Sequence, residues 1–424
     1  MKKSNLYPQI IILKGNGTFS SKERKFKSHF EIVHYPQHTT ITTKIRVRRK
    51  NYFENKNISN IWELNGLIDG NLTIHAKNLL LTNLSDNILT LSSFKDLTIY
   101  KTQTNNLTSA EFPLVGLYKG DFETSLDGWD IQCFGDKEKV KIIQNQSKNW
   151  NIQLEGLSLK LIKQKSSKEE FLSKANDITS LLSLALGNDI VFNRQKYYRD
   201  NELIIEDWRR KVDDHFGVEA CVPDFRLANF IVKTLHNYEK WNDKKRKIFY
   251  ATVTGINSSS RGFLEDRILR ICIAWEGLAG SWSKNKKKPN SELKPLKDLL
   301  IETVDGCSLP KNIDKNFIKT RVSDSLDWEK SSDFLTKFSN QYLLDAEKLK
   351  LDFKSLVKVR NDIAHSGLFK KKYTTDFLTD LIYNHKLGLQ IILLKELEYD
   401  GLVVTSENKW TTYTKMEELI KPSL

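Results

Sequence analysis

Cysteine is scarce in this chain of 424 residues: Cys133, Cys221, Cys272 and Cys307 lie far apart, and no C-x-x-C pair occurs. Zinc sites and disulfide frameworks both need clustered cysteines, so neither is expected, and a reducing, cytoplasmic setting fits best. Long apolar runs are missing as well. A membrane helix needs ~18 or more consecutive apolar residues, yet even Ile178 to Leu186 is interrupted by Thr179, Ser180 and Ser183. At the N-terminus the run Ile10 to Leu13 follows Pro8 and stops at Lys14, too short for a secretory signal. No membrane partner and no export are expected, and triplets such as Asn71-Leu72-Thr73 then carry no glycosylation meaning. Familiar cofactor motifs are absent too. Gly15-x-Gly17 lacks the third glycine and the following helix of a dinucleotide fingerprint, and there is no Walker loop, H-E-x-x-H or G-x-S-x-G. No cofactor and no metal is implied, and no internal repeat or long low-complexity tract is visible.

What is present points to a multidomain globular protein with anionic partners. The length suggests two or three domains. Lys and Arg number 67 against 53 Asp and Glu, and the resulting formal charge of +14 favours partners such as nucleic acid. Hydrophobic residues at 39% suffice for real cores, which excludes a disordered tail or a fibre.

The expected architecture is α+β: an N-terminal β-sandwich or barrel-like domain followed by a C-terminal all-α bundle. Residues 1–162 read as β-rich, with period-two runs at Ile10 to Leu13, Phe30 to Val33, Thr40 to Val47, Leu72 to His75, Ile88 to Leu91, Leu97 to Tyr100, Trp129 to Phe134, Val140 to Ile143 and Ile152 to Leu161. Gly15-Asn16-Gly17, Asp69-Gly70-Asn71 and Asp127-Gly128 are read as turns between them. Residues 163–222 form a mixed connecting region. There Ser166-Ser167-Lys168-Glu169-Glu170 opens a helix that runs to Gly187, and Ile190 to Phe192 and Leu203 to Ile205 are short strands. Residues 223–424 read as helical, with helices over 224–240, 262–281, 293–304, 333–365 (with a possible break near 345) and 375–397.

Chemistry concentrates in one place. The string Gly135 to Lys139 is read as a solvated turn rather than a metal site. The end of the 346–365 helix differs: an apolar stripe of Leu349, Phe353, Leu356, Val357 and Ala364 leads into Arg360-Asn361-Asp362-Ile363-Ala364-His365-Ser366-Gly367. Asn361 and His365, four apart, share a face, with Arg360 beside them. Gly367 is a natural left-handed stop, which puts His365 in the last turn, where the helix dipole favours positive charge. An Arg followed five positions later by His also occurs at Arg24/His29 and Arg210/His215. Only the third instance combines an amphipathic helix, Asn directly after Arg, and Gly just past His.

Arg360-Asn361-Asp362-Ile363-Ala364-His365 resembles the R-N-x-x-x-H signature of HEPN domains, and Leu264 to Leu278 resembles their earlier core helix. The similarity spans about residues 255–400 and is to the Apea-like branch, bacterial anti-phage proteins with a β-rich N-terminal domain. In that domain it rests on Leu64-Asn65-Gly66 and Asp69-Gly70-Asn71-Leu72-Thr73. The resemblance implies a four- to five-helix bundle that forms a homodimer and cleaves RNA without metal, as a toxin of abortive infection, with the N-terminal domain regulating it or sensing a phage-derived trigger. It implies that Arg360 and His365 are the catalytic pair, that Asn361 is the polar residue between them, and that Glu276 is an acidic partner on the facing helix. A non-catalytic module that binds nucleic acid or protein is the alternative, as is a bundle in which Arg360 merely pairs with Glu276 or Asp362.

The chemistry is coherent on its own terms. An RNA 2′-hydroxyl attacks its own phosphodiester when a base takes its proton, an acid protonates the leaving oxygen and a cation holds the charged transition state. Lys240, Lys244, Lys245, Arg246 and Lys247, and the loop Lys284, Lys286, Lys287 and Lys288, could track an RNA backbone, although such runs are commonly solvated faces. Trp275 and Trp282 read as core rather than base-stacking residues, and His385 as a surface or core histidine. The apolar run Leu387, Leu389 and Ile391 to Leu394 reads either as dimer surface or as a central helix.

Overall fold

The computed structural model describes residues 11–22, 24–34, 39–44, 61–68, 72–85, 88–93, 97–101, 106–150, 154–208, 220–284, 294–307, 314–326, 330–367, 373–407 and 410–421. The fold is α+β, with an N-terminal closed β-barrel and further strands, followed by a largely helical region. The chain divides into two compact units, one within Met1–Ser183, Asn188–Phe216 and Asp224–Leu235, the other within Leu184–Gly187, Gly217–Pro223 and His236–Leu424.

In the first unit, six antiparallel strands close on themselves: β1 (Ile11–Ser20), β2 (Lys25–His34), β3 (Thr39–Lys44), β4 (Ile61–Ile68), β5 (Leu72–Ser85) and β6 (Ile88–Ser93). They are ordered β4-β1-β2-β3-β6-β5, and β5 returns to β4. Alternation selects the interior: Trp62, Leu64 and Ile68 of β4 point inward with Phe19, Phe26, Phe30, Ile32 and Ile41. Phe26 stacks on Phe19 at 5.2 Å and meets Trp62 edge-on at 5.8 Å. Gly15-Asn16-Gly17 is no turn; it lies inside β1, with Gly17 directly opposite Gly66 of β4. A Cβ on Gly15 would stand 2.2 Å from the Leu67 carbonyl oxygen and 2.6 Å from the Phe30 ring, and one on Gly66 2.6 Å from the Asn16 oxygen. These glycines therefore serve close approach of two strands beneath an aromatic ring.

From β5 the sheet continues through β7 (Leu97–Tyr100), β14 (Glu202–Trp208), β13 (Arg194–Arg199), β8 (Leu107–Val115), β11 (Glu155–Ser166), β10 (Trp129–Phe134) and β9 (Phe122–Leu126), with β12 (Val191–Phe192) also on β8. Asp127-Gly128 is the tight turn joining β9 to β10, both residues having positive φ. Val140 to Ile143, expected as a strand, belongs to helix α1 (Lys137–Trp150). Asp136 caps that helix by accepting from the Glu138 and Lys139 amides at 3.0 and 3.1 Å, so the Gly135 to Lys139 string is a helix start and not a turn. Val140 and Ile143, the buried pair, are three apart, a spacing that one helix face satisfies. Helix α2 (Lys168–Leu186) opens with a capping box: Glu170 N–H donates to Ser167 Oγ at 3.1 Å, and Ser167 N–H donates to the Glu170 carboxylate at 2.8 Å. Asp69-Gly70-Asn71 lies outside the described residues.

Leu227–Glu239 forms α3, which follows a 3-10 turn at Asp224–Arg226. The helices of the second unit are α4 (Asp243–Ser258), α5 (Leu264–Trp282), α6 (Lys294–Gly306), α7 (Lys315–Leu326), α8 (Ser331–Gln341), α9 (Phe353–Ser366) and α10 (Thr375–Glu396). Helix α5 is central and packs against α4, α8, α9 and α10. Three expectations are corrected here. The unit is not all-α, because β15 (Leu402–Glu407) and β16 (Trp410–Lys415) form a hairpin. The 346–365 helix begins only at Phe353: Lys350 has positive φ, and Asp352 caps the new helix by accepting the Ser355 amide at 2.9 Å. Finally, Leu387, Leu389 and Ile391 to Leu394 are all buried within the unit itself, so this run is apolar because that part of α10 is central, and it presents no exposed apolar face. Among the described residues, no helix is long and apolar enough to cross a membrane.

The glycine seam makes a direct prediction. Gly15→Ala must push the Phe30 ring and the β4 backbone apart, an overpacking cost of about 1–3 kcal/mol. Its urea midpoint is expected to fall below that of the parent, and an unchanged midpoint would show that the seam relaxes freely.

Candidate functional site

The site assembles on the outer end of α9. Phe353, Leu356, Val359 and Ile363 are the buried residues of this helix, replacing the expected Val357 and Ala364. Arg360, between Leu356 and Ile363, therefore sits at the margin of the packed face, while Asn361 and His365 are exposed together one turn apart. Gly367 ends the helix with φ of 72°, and its amide donates to the Ile363 carbonyl at 2.7 Å. A left-handed residue there costs nothing without a Cβ, so the chain leaves the helix directly after the motif.

Glu276 arrives from α5 and accepts a charge-assisted hydrogen bond from Arg360 Nη2, while Arg360 Nη1 donates to Asn361 Oδ1 at 3.0 Å. The two charged side chains remain 28% and 37% exposed, so the pair is reachable from solvent. A guanidinium carries five N–H donors in a planar fork, which leaves donors for a further anion. Cys272, one turn before Glu276, is buried against the same guanidinium; burial pushes its thiol up to about 12, and the Arg360 charge opposes that rise. Asp362 accepts from the Tyr373 hydroxyl at 2.9 Å, and burial with the Asp362 carboxylate pushes that hydroxyl up to about 12. The site thus brings together Arg360, Asn361 and Glu276, with His365 on the next turn of the same helix.

The other candidates separate. Lys284 is exposed, and its backbone amide donates to Gln341 Oε1 at 2.9 Å; Lys286, Lys287 and Lys288 lie outside the described residues. Lys245 is committed, its ammonium lying 4.2 Å from the Trp241 ring centre and 5.2 Å from that of Trp282 while it pairs with Glu396. Arg246 donates to the Trp241 and Glu239 carbonyls at 3.1 and 2.7 Å. Two members of that basic run therefore hold the bundle together, whereas Lys244 and Lys247 are exposed. Arg24 and His29 fall in the β-rich unit, at and within β2, and Arg210 and His215 lie outside the described residues. Among the described residues, no three His, Cys, Asp or Glu side chains gather as a metal site would require.

Trp275 and His385 are core. The indole is fully buried, donates from Nε1 to the His385 carbonyl at 3.0 Å, and meets the Phe353 ring edge-on at 4.8 Å. Beside it, burial drives the His385 imidazole down to about 4, against an opposing pull from Asp352, so it is neutral at pH 7 and sealed from any substrate. Sequence inspection missed a cleft of about 440 Å³ that shares Glu276, formed by Ala279, Gly280 and Ser283 of the α5 end and Ser331, Phe334 and Leu335 of α8. No local sequence signal marks it, because its walls come from two helices distant along the chain. No protein-family model, curated protein or solved structure matches the chain.

His385 gives this region a pH signature. The unfolded imidazole takes up a proton near 6.5 and the folded one only near 4, so the unfolded state gains protons first as pH falls. Stability contributed by neutral His385 is complete above about 6.5 and declines toward about 4 by at most about 1.4 kcal/mol per pH unit. Urea unfolding at pH 7 and pH 5 should show this loss in the parent and a smaller one in His385→Phe. Equal pH slopes in both proteins would assign the loss to other groups.

Proposed function

We propose that this chain is a metal-independent endoribonuclease of the Apea-like HEPN type, acting as a toxin in anti-phage defence with its β-rich unit in a sensing or regulatory role. One observation carries the reading: Arg360, held by Glu276 from the facing helix and by Asn361, is presented at a solvent-accessible helix end beside exposed His365. The resemblance of Arg360 to His365 to the HEPN signature supplies the reaction class.

In this mechanism Arg360 grips two non-bridging phosphate oxygens of RNA with the N–H donors that Glu276 and Asn361 leave over. An imidazole removes the 2′-hydroxyl proton, the 2′-oxygen forms the bond to phosphorus, and the P–O5′ bond breaks as the 5′-oxygen receives a proton. The products are a 2′,3′-cyclic phosphate and a 5′-hydroxyl. Glu276 acts through Arg360, fixing the plane of its guanidinium. Base and acid are both required while the motif carries one histidine, so two chains related by a two-fold axis supply the pair. Ile273, one turn before Glu276 and 67% exposed, offers apolar surface beside the site for such a contact.

A second reading has one observation in its favour. The Arg360–Glu276 pair also satisfies a purely structural role, which suits a non-catalytic module binding RNA or protein. Cleavage separates the two. The full chain should cut RNA in the presence of a chelator and leave the cyclic phosphate, and His365→Ala and Arg360→Ala should each lose at least about a hundredfold in rate. Undiminished cleavage by His365→Ala would remove this site from the reaction, and loss of all cleavage on chelation would point to a metal nuclease. Bacteria overexpressing the parent should arrest, and those expressing the double variant should grow.

Homodimerisation is checked separately. Sedimentation at micromolar concentration should give about twice the 49.3 kDa chain mass. A fully active monomer would defeat the two-chain site.

A further inference from the structure

The cleft next to Arg360 has a chemistry of its own. It lies between the C-terminal part of α5 and the start of α8, and its volume of about 440 Å³ falls within the ~300–1,000 Å³ of small-ligand pockets. Its walls offer the half-buried Phe334 ring, the apolar Ala279 and Leu335, and the hydroxyls of Ser283 and Ser331, which both donate and accept. Among the described residues no lysine or arginine lines it, and the charged group on its wall is the Glu276 carboxylate. A phosphate placed in the cleft would meet that carboxylate. A flat, neutral, hydrogen-bonding ring finds an aromatic face, apolar walls and acceptors for its N–H groups.

Glu276 ties the cleft to the motif, because the carboxylate that lines it is the one that holds Arg360 Nη2. A base and the phosphate beside it are joined through a single ribose. A base in the cleft therefore delivers a phosphate toward the guanidinium. We propose that this cleft is a nucleobase pocket that stacks one unpaired base of the RNA on Phe334 and selects the bond to be cut. The proposal rests on the ribonuclease reading and adds to it the element that reads the substrate. Single-stranded RNA is the form that can splay a base into such a pocket.

Two variants of the full chain test it from opposite walls. Phe334→Ala removes the stacking face, and Phe334→Tyr keeps it. Gly280→Leu places an apolar side chain at the cleft wall, starting from a Cβ that meets nothing within 4 Å. Cleavage of a single-stranded RNA of mixed sequence is mapped nucleotide by nucleotide. Binding is read in the His365→Ala background with oligonucleotides carrying 2-aminopurine at one position, whose fluorescence is quenched on stacking. The parent should prefer one base next to the cut. Phe334→Ala and Gly280→Leu should each flatten that preference, lose roughly tenfold or more in kcat/KM chiefly through KM, and abolish the quenching. Phe334→Tyr should retain all three, and the 2′,3′-cyclic product should persist in every active variant. Cleavage with unchanged preference and quenching in both Phe334→Ala and Gly280→Leu would overturn the base pocket and leave the ribonuclease standing. A parent chain that neither binds nor cuts RNA would overturn both.

Discussion

The second unit is organised by the need to bury one indole without orphaning its N–H. Trp275 is fully enclosed, and its only buried donor reaches the His385 carbonyl of α10 while its ring contacts Phe353 of α9 and Phe338 of α8. Leaving that donor unpaired would cost about 1–3 kcal/mol, so the rotation of α5 about its axis is fixed to within a hydrogen bond's tolerance. Glu276 follows Trp275 by one residue and has no freedom of its own in the matter: once the indole is locked, the carboxylate emerges at the margin facing α9. The exposed ion pair is thus a by-product of apolar packing. Its own contribution to stability is small, as expected of a partly solvated pair, and its value lies in orientation.

This arrangement separates sealed groups from solvent-facing ones. Fully buried groups near the motif, Cys272 and His385, are held in their uncharged forms by desolvation. Arg360, Asn361 and His365, by contrast, lie at the solvent boundary on a helix whose two ends are fixed by Asp352 and Gly367. Lys245 shows the opposite use of a cation: clamped between two indoles and a carboxylate, it spends its charge inside the protein. Counting basic residues therefore overstates the positive field available to a nucleic acid.

The α+β division, most helices and the motif with its glycine stop were legible because each rests on local periodicity or on a single residue's backbone preference. The capping box at Ser167 and Glu170 is a case in which four residues suffice. Closure of the barrel was not legible, since it depends on β5 finding β4, a pairing that alternation allows without specifying. Gly15 and Gly17 were misread for a related reason: a turn and a close strand crossing both call for glycine, and only the partner strand tells them apart. Val140 to Ile143 failed through ambiguity of period in a short run. Within the site, Glu276 and Asp362 were both legible as partners of Arg360, and only the packing of α5 against α9 decides between them; the cleft required knowing that the start of α8 lies against the end of α5, which leaves no local signature.

Strand β5 is shared between two structures. Its segment Thr73 to Ala76 pairs with Leu67 to Leu64 of β4 on one side, closing the barrel, and with Tyr100 to Leu97 of β7 on the other, opening the long sheet. Peeling it away would breach the barrel and sever the sheet in a single event. Barrel and sheet are therefore one cooperative block rather than two modules in series, and the backbone amides of 73–76 sit where opening demands the most disruption. They would surrender their protons to solvent more slowly than those of the edge strand β9, where among the described residues only β10 stands alongside.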